Sequence, residues 1–149
     1  MPLPGIPEGY EPAVPVKRSF DALYGLELLD EDIRDGTFRG RVRIRDELRQ
    51  QFGLLHGGVI AATAEALASR GTCLGVDSND AAVMGMSNET SFLRPLTDGH
   101  LHQSAVVKHR GRTRWLWEVD SRDDEERLCA ITIVNVAVRQ PPAGAAGAG

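Results

Sequence analysis

Residues 56–72 read HGGVIAATAEALASRGT, and one side chain in that run is out of character. Between His56 and Arg70 every residue is apolar, small or hydroxylated except Glu65. The run is rich in alanine and holds no proline, so it predicts a helix from about Gly57 to Arg70. A helix that is apolar nearly all round belongs inside a fold, where an ionised carboxylate is costly unless it has a partner or a task. At helical spacing Glu65 shares its stripe with Ala61, Ala62, Ala68 and Ser69, a floor of small residues with one hydroxyl a turn away. A solvated glutamate is the ordinary alternative. The lack of any other charge from Gly57 to Ser69 favours a functional carboxylate.

The start of the helix points the same way. Gly57 and Gly58 follow His56, and the unpaired amides of a first helical turn, helped by the helix dipole, can hold a developing negative charge. Glycine lets a substrate approach the backbone closely. An anion site at the helix start and a carboxylate two turns on together suggest acyl transfer.

Outward from the helix, the sequence alternates as strands do. In GTFRGRVRIRDE (36–47), Phe38, Val42 and Ile44 alternate with Arg39, Arg41, Arg43 and Arg45. Four further strands are expected in AAVMGMSNETSFLR (81–94), GHLHQSAVVKHR (99–110), RTRWLWEVDSR (112–122) and RLCAITIVNVAVR (127–139). Short turn signals, TDG, RG and DDEE, separate them and predict a four-stranded antiparallel meander. The fold class is therefore α+β, a curved antiparallel sheet wrapped around one long helix. Trp115, Trp117, Phe52 and Phe92 are expected in core or interface packing, and Asn88 is expected to hydrogen-bond near the helix.

The 149 residues suit one domain. Residues 1–18, rich in proline, read as a weakly ordered lead-in, 19–139 as the folded domain and 140–149 as a disordered Gly/Ala/Pro tail. A net charge of -4 argues against a general nucleic-acid partner. No apolar run is long enough to span a bilayer and the first residues lack a signal-peptide core, so a cytoplasmic protein without membrane attachment is expected. Cys73 and Cys129 lie far apart in apolar surroundings and read as buried thiols. His100 and His102 share a strand face, but sequence identifies no third ligand, so no metal is expected. There is no GxSxG elbow and no phosphate-binding glycine loop.

In combination, LRQQFGLLHGGVIAATAEALAS, GMSNETSFLRPLTDGHL and WLWEVDSRDDEERLCAITIVNVAVR resemble the hotdog-fold acyl-CoA thioesterases, above all the 4-hydroxybenzoyl-CoA thioesterase branch, which places a glutamate on the central helix. The resemblance runs from about Gly25 to Arg139. It implies an enzyme that hydrolyses an aromatic acyl-CoA with no cofactor, coenzyme A being part of the substrate. It implies that Glu65 acts as nucleophile or general base, that the Gly57 amide polarises the thioester carbonyl, and that Gln50, His56 and Ser69 organise the reactants. Arg94 and Thr113 match positions that contact the nucleotide. Arg112 replaces a small hydroxylated residue there, and Pro142 falls where the branch has an arginine for the phosphates, a loss that Arg112 is placed to offset. The resemblance also implies a homo-oligomer, a tetramer built as a dimer of dimers, with Glu65 of one subunit facing Gln50, His56 and Gly57 of another. A non-catalytic acyl-CoA-binding module of the same fold would keep the pocket and the basic hairpin 108–114, but would have no need of Glu65.

Overall fold

The computed structural model describes residues 9–33, 35–76 and 81–140. A 3₁₀ turn (Val16–Arg18) leads into a short helix α1 (Phe20–Tyr24), capped by the Ser19 hydroxyl, which accepts from the Ala22 amide. Then come β1 (Glu27–Leu28), β2 (Thr37–Arg43), a 3₁₀ turn (Asp46–Leu48), the long helix α2 (Gly57–Gly75), and strands β3 (Ala82–Phe92), β4 (His100–Arg110), β5 (Arg114–Arg122) and β6 (Leu128–Arg139). The lead-in expected over 1–18 falls partly outside the described residues, as does the tail from residue 141, Pro142 included.

All six strands form one antiparallel sheet in the order β1-β2-β4-β5-β6-β3. The curved sheet wraps α2, which is the hotdog arrangement. Alternation along β2 works as the sequence suggests: Phe38 and Val42 are fully buried against the helix while the arginines face out. The expected meander holds for β4, β5 and β6 but not for β3. That strand pairs with β6, from Ala82↔Arg139 to Phe92↔Ala130, and β4 instead lies beside β2.

The reason is the link between β3 and β4. TDG is only the end of a seven-residue connection, 93–99, whose Pro95 cannot join a ladder and whose Leu96 is buried. Three inter-strand spacings separate β3 from β4, about 14 Å at roughly 4.8 Å each, within easy reach of such a connection. Passing under the sheet end, the link is pinned where the Leu55 amide donates to Leu96 O (2.7 Å) and the Leu93 and Arg94 amides donate to Cys129 O.

The helix is also longer than its sequence suggests, running past Arg70 to Gly75. Its last turns are held by packing rather than propensity. A Cβ on Gly71 would stand 2.6 Å from the Trp117 ring, and one on Gly75 would strike Trp115, so both glycines are notches that seat an indole. Trp117 is fully buried and donates its Nε1–H to Thr72 Oγ1 (2.9 Å), which satisfies its one polar atom. Around these rings Phe38, Leu67, Val119, Val134 and Val136 form one core cluster. A second cluster, with Val42, Leu48, Leu55, Ile60 and Leu101, surrounds the helix start.

Candidate functional site

Two groups of expected site residues sit at different points along α2. The first is at its start. His56 caps the helix, its Nδ1 accepting from the Gly58 amide (2.8 Å), while its carbonyl accepts from Val59. Those bonds leave the Gly57 N–H without a partner among the described residues, as the first turn of a helix allows. The preceding loop is closed by the Arg49↔Leu55 bridge and by the His56 amide donating to Leu48 O. Gln50 lies half-buried in it, with Oε1 accepting from the Phe52 amide (3.3 Å). The Phe92 ring rests on Gly57, where a Cβ would stand 2.8 Å from it, and only glycine there keeps the amide open beside the ring.

The second group is two turns on. Glu65 is half-buried, and Ser69 Oγ donates to its Oε1 (2.8 Å). Facing it across the helix–sheet gap is Gly85 of β3, at which a Cβ would lie 2.9 Å from Glu65 Oε1. The ladder with β6 shifts register between Gly85 and Ser87, a bulge that brings bare backbone up to the carboxylate. Asn88 fastens this strand to the helix, donating to Ala61 O (2.9 Å), and accepts from Thr90 Oγ1. In the sequence the only signal for Gly85 is a glycine inside an apolar strand pattern, the usual mark of a bulge or a close approach.

Within one chain these groups stay apart. Eight residues separate Gly57 from Glu65, about 12 Å along the helix axis, too far for both to act on one thioester.

The residues expected to hold the nucleotide are likewise divided. Arg112 and Thr113, with Arg114, Arg139 and Met86, line a groove of about 610 Å³ where β5 begins and β6 ends. Arg94 lies at the other end, its amide bonded to Cys129 O, and Cys129 is ten residues from Arg139 on β6, about 33 Å. Of the four cations in 108–114, two are committed elsewhere. Lys108 pairs with Glu118 (3.6 Å), and Arg110 lies over the Trp115 ring (4.5 Å) while donating to Gly75 O. Arg114 of the basic hairpin lines the groove as well, and Arg139 joins it from the end of β6, a place that only the sheet order reveals.

Neither cysteine is poised as a nucleophile. Burial pushes both the Cys73 and the Cys129 thiol up, which disfavours the thiolate.

Residues 52–130, more than half of the chain, match the thioesterase superfamily. The chain belongs to that family. It is an enzyme of the thioesterase class, which removes the reading as a non-catalytic module. Among relatives of this thioesterase, a provisionally named esterase of Mycobacterium tuberculosis is 34% identical over 132 residues, covering 87% of this chain and 90% of that one. A 1,4-dihydroxy-2-naphthoyl-CoA hydrolase of Listeria monocytogenes is 28% identical over 116 residues, covering 78% and 92%. Among solved structures, a mutant thioesterase from Pseudomonas aeruginosa superposes with a TM-score of 0.77 at 28% identity, covering 83% of this chain and 87% of the other. No helix among the described residues is long and apolar enough to cross a membrane.

Proposed function

We propose that this thioesterase hydrolyses an aromatic acyl-CoA, of the 4-hydroxybenzoyl-CoA or dihydroxynaphthoyl-CoA kind, to the free acid and coenzyme A. The observation that carries this reading is Glu65: a half-buried carboxylate on an otherwise uncharged stretch of helix, hydrogen-bonded by Ser69 and facing the bare backbone of Gly85. The naphthoyl-CoA hydrolase among its relatives supports an aroyl group. So does Phe92, whose ring flanks the amide at Gly57.

In the proposed reaction the thioester carbonyl oxygen is held by the Gly57 N–H, reinforced by the helix dipole. Glu65 either attacks the carbonyl carbon, forming an anhydride that water then cleaves, or takes a proton from water as that water attacks. In both routes a C–O bond forms, the C–S bond breaks, and the coenzyme A thiolate leaves and is protonated. Water is the only co-reactant, so the chemistry calls for no metal or redox cofactor. Ser69 orients Glu65, His56 sets the helix cap that leaves the Gly57 amide open, and Gln50 positions the thioester or the attacking water.

The site assembles between two subunits. The separation of about 12 Å between Gly57 and Glu65 supports this, since one thioester needs both groups. Strand β3 supplies the means: it is an edge strand with Met84, Met86 and Phe92 exposed. If two copies of β3 pair antiparallel about a centre near Asn88, the Phe92–Gly57 end of each meets the Gly85–Glu65 end of the other. The same pairing carries Arg94 of one subunit toward the groove of Arg112 and Thr113 in its partner, and would reunite the divided nucleotide contacts. Two such dimers make the proposed tetramer, acting in the cytoplasm on soluble acyl-CoA.

A free-thiol release assay over a panel of aroyl- and alkyl-CoA esters tests the substrate class. Higher kcat/KM on aroyl esters is expected, and a preference for alkyl esters overturns it. Single turnovers in ¹⁸O-water then test the nucleophilic role of Glu65: label in its carboxylate establishes an anhydride cleaved by water on the Glu65 side, whereas the general-base route puts label in the product acid alone.

A further inference from the structure

We propose that His100, His102 and Asp124 form a binding site for a divalent transition-metal ion of the zinc type, on the face of the sheet opposite α2. The face follows from the alternation of β4. Leu101 and Gln103 point inward, Leu101 fully buried and Gln103 donating to Ile60 O of the helix (3.0 Å), so His100 and His102 point out. The site thus stands on the other side of the sheet from Glu65 and takes no part in the proposed hydrolysis.

Strand spacing sets two imidazoles side by side, their centroids 5.8 Å apart, and the turn after β5 brings the third ligand that the sequence alone did not reveal. His102 Nε2 lies 2.7 Å and His100 Nδ1 3.7 Å from the same oxygen, Asp124 Oδ1. One donor atom from each of the three residues lies within 4.8 Å of the others. Donors bound to one zinc at about 2.0–2.2 Å stand roughly 3–4 Å apart, so small ring rotations complete the set. Two histidines and one carboxylate suit zinc, cobalt or nickel rather than calcium or magnesium, which favour all-oxygen sites.

The carboxylate is held in readiness. Its other oxygen, Oδ2, accepts from the His100 amide (3.3 Å), which leaves Oδ1 as the atom both rings reach. A side chain on Gly99, whose φ is +76, would strike this carboxylate. The turn itself is built by Asp123, which accepts from the Glu125 and Arg127 amides and from Arg127 Nε (2.7 Å), so the neighbouring acid does the structural work and Asp124 projects.

Local charge also favours a cation. Asp124 belongs to a groove of about 310 Å³ that it lines with Asp98, Asp123, Glu125 and a single cation, Arg127. Across the strands, His102 is flanked by Arg41, paired with Glu27 (2.7 Å), and by Arg122, paired with Asp120 (3.0 Å). Arg49, paired with Asp98 (3.0 Å), and Arg43, opposite His100, add opposing charges, and with Arg127 they are three cations against the four carboxylates. An ion here would tie the start of β4 to the β5–β6 turn, so its binding should stabilise the fold.

The test is calorimetric titration of the untagged full chain with zinc chloride, backed by the visible absorption of cobalt(II). Expected are one equivalent per chain, a rise in Tm with zinc, and affinity falling by more than about tenfold in His100→Ala, His102→Ala and Asp124→Asn. His102→Gln serves if His102→Ala folds poorly, judged by circular dichroism without metal. Turnover by the variants should match that of the parent. Lack of saturable binding overturns the proposal. So does binding that survives the histidine changes and falls with Asp98→Asn, which would give the ion to the acidic groove alone.

Discussion

Strands β3 and β5 are both long, both apolar at many positions, and lie on either side of β6, yet they live in different surroundings. Along β5, buried Trp115, Trp117, Val119 and Ser121 alternate with half-covered neighbours, the pattern of a strand with a ladder on each side and the helix on one face. Along β3 almost every residue is exposed, including Met84 at 55% and Phe92 at 59%. One strand is finished by its own chain, and the other presents free backbone and apolar side chains together. Isolated proteins avoid such an edge, and on the proposed assembly a second copy covers it.

The contrast can be broken at several points. The largest effect is expected at Glu65, the carboxylate that faces β3: Glu65→Gln should lower kcat by roughly 10²- to 10⁴-fold while Tm and oligomeric state hold, as steady-state kinetics and light scattering would show. Near-normal turnover would remove Glu65 from the chemistry. On the β5 side, Trp117→Ala should cost about 3–5 kcal/mol in urea unfolding through the lost ring and the cavity left behind, and a cost below 1 kcal/mol would mean the indole is not a core anchor. Met84→Lys, on the exposed strand, should barely alter secondary structure but should give monomers in sedimentation and abolish turnover. An active monomer would refute the shared site.

Subtler changes sharpen the same picture. Gly85→Ala crowds the Glu65 carboxylate, and kcat should fall by up to roughly 10²-fold with KM little altered. Arg94→Ala, at the far end of β3, should raise KM for CoA esters roughly tenfold and leave kcat unchanged. An unchanged KM would place the phosphates elsewhere.

How far the sequence reveals all this depends on how local each feature is. The helix, its glutamate and the inward face of β2 follow from spacing within a few residues, and the structure has them where that spacing predicts. The place of β3 does not, because strand partners are chosen over long separations and the seven residues 93–99 permit a crossing as readily as a hairpin. For the same reason Arg94 and Arg112 read as one nucleotide site but stand at opposite ends of the sheet. The last turns of α2 depend on indoles some forty residues later in the chain, which no window around Gly71 contains. In the candidate site, Glu65, Ser69, His56 and Gly57 stand out in the sequence by type and spacing. Gly85 does not, since its importance lies in what it leaves out.

The seating of Trp117 and Trp115 in Gly71 and Gly75 has one more implication. A rod carrying two bare dents near its tail can be mounted against two fixed knobs in one axial position and at one roll angle. Sliding it by a single residue would turn it by about 100° and push Arg70 or Thr72 into an indole. The aim of the acid near its middle is thereby indexed by aromatic rings more than a turn away, and substitutions there could detune the chemistry without touching a reacting atom.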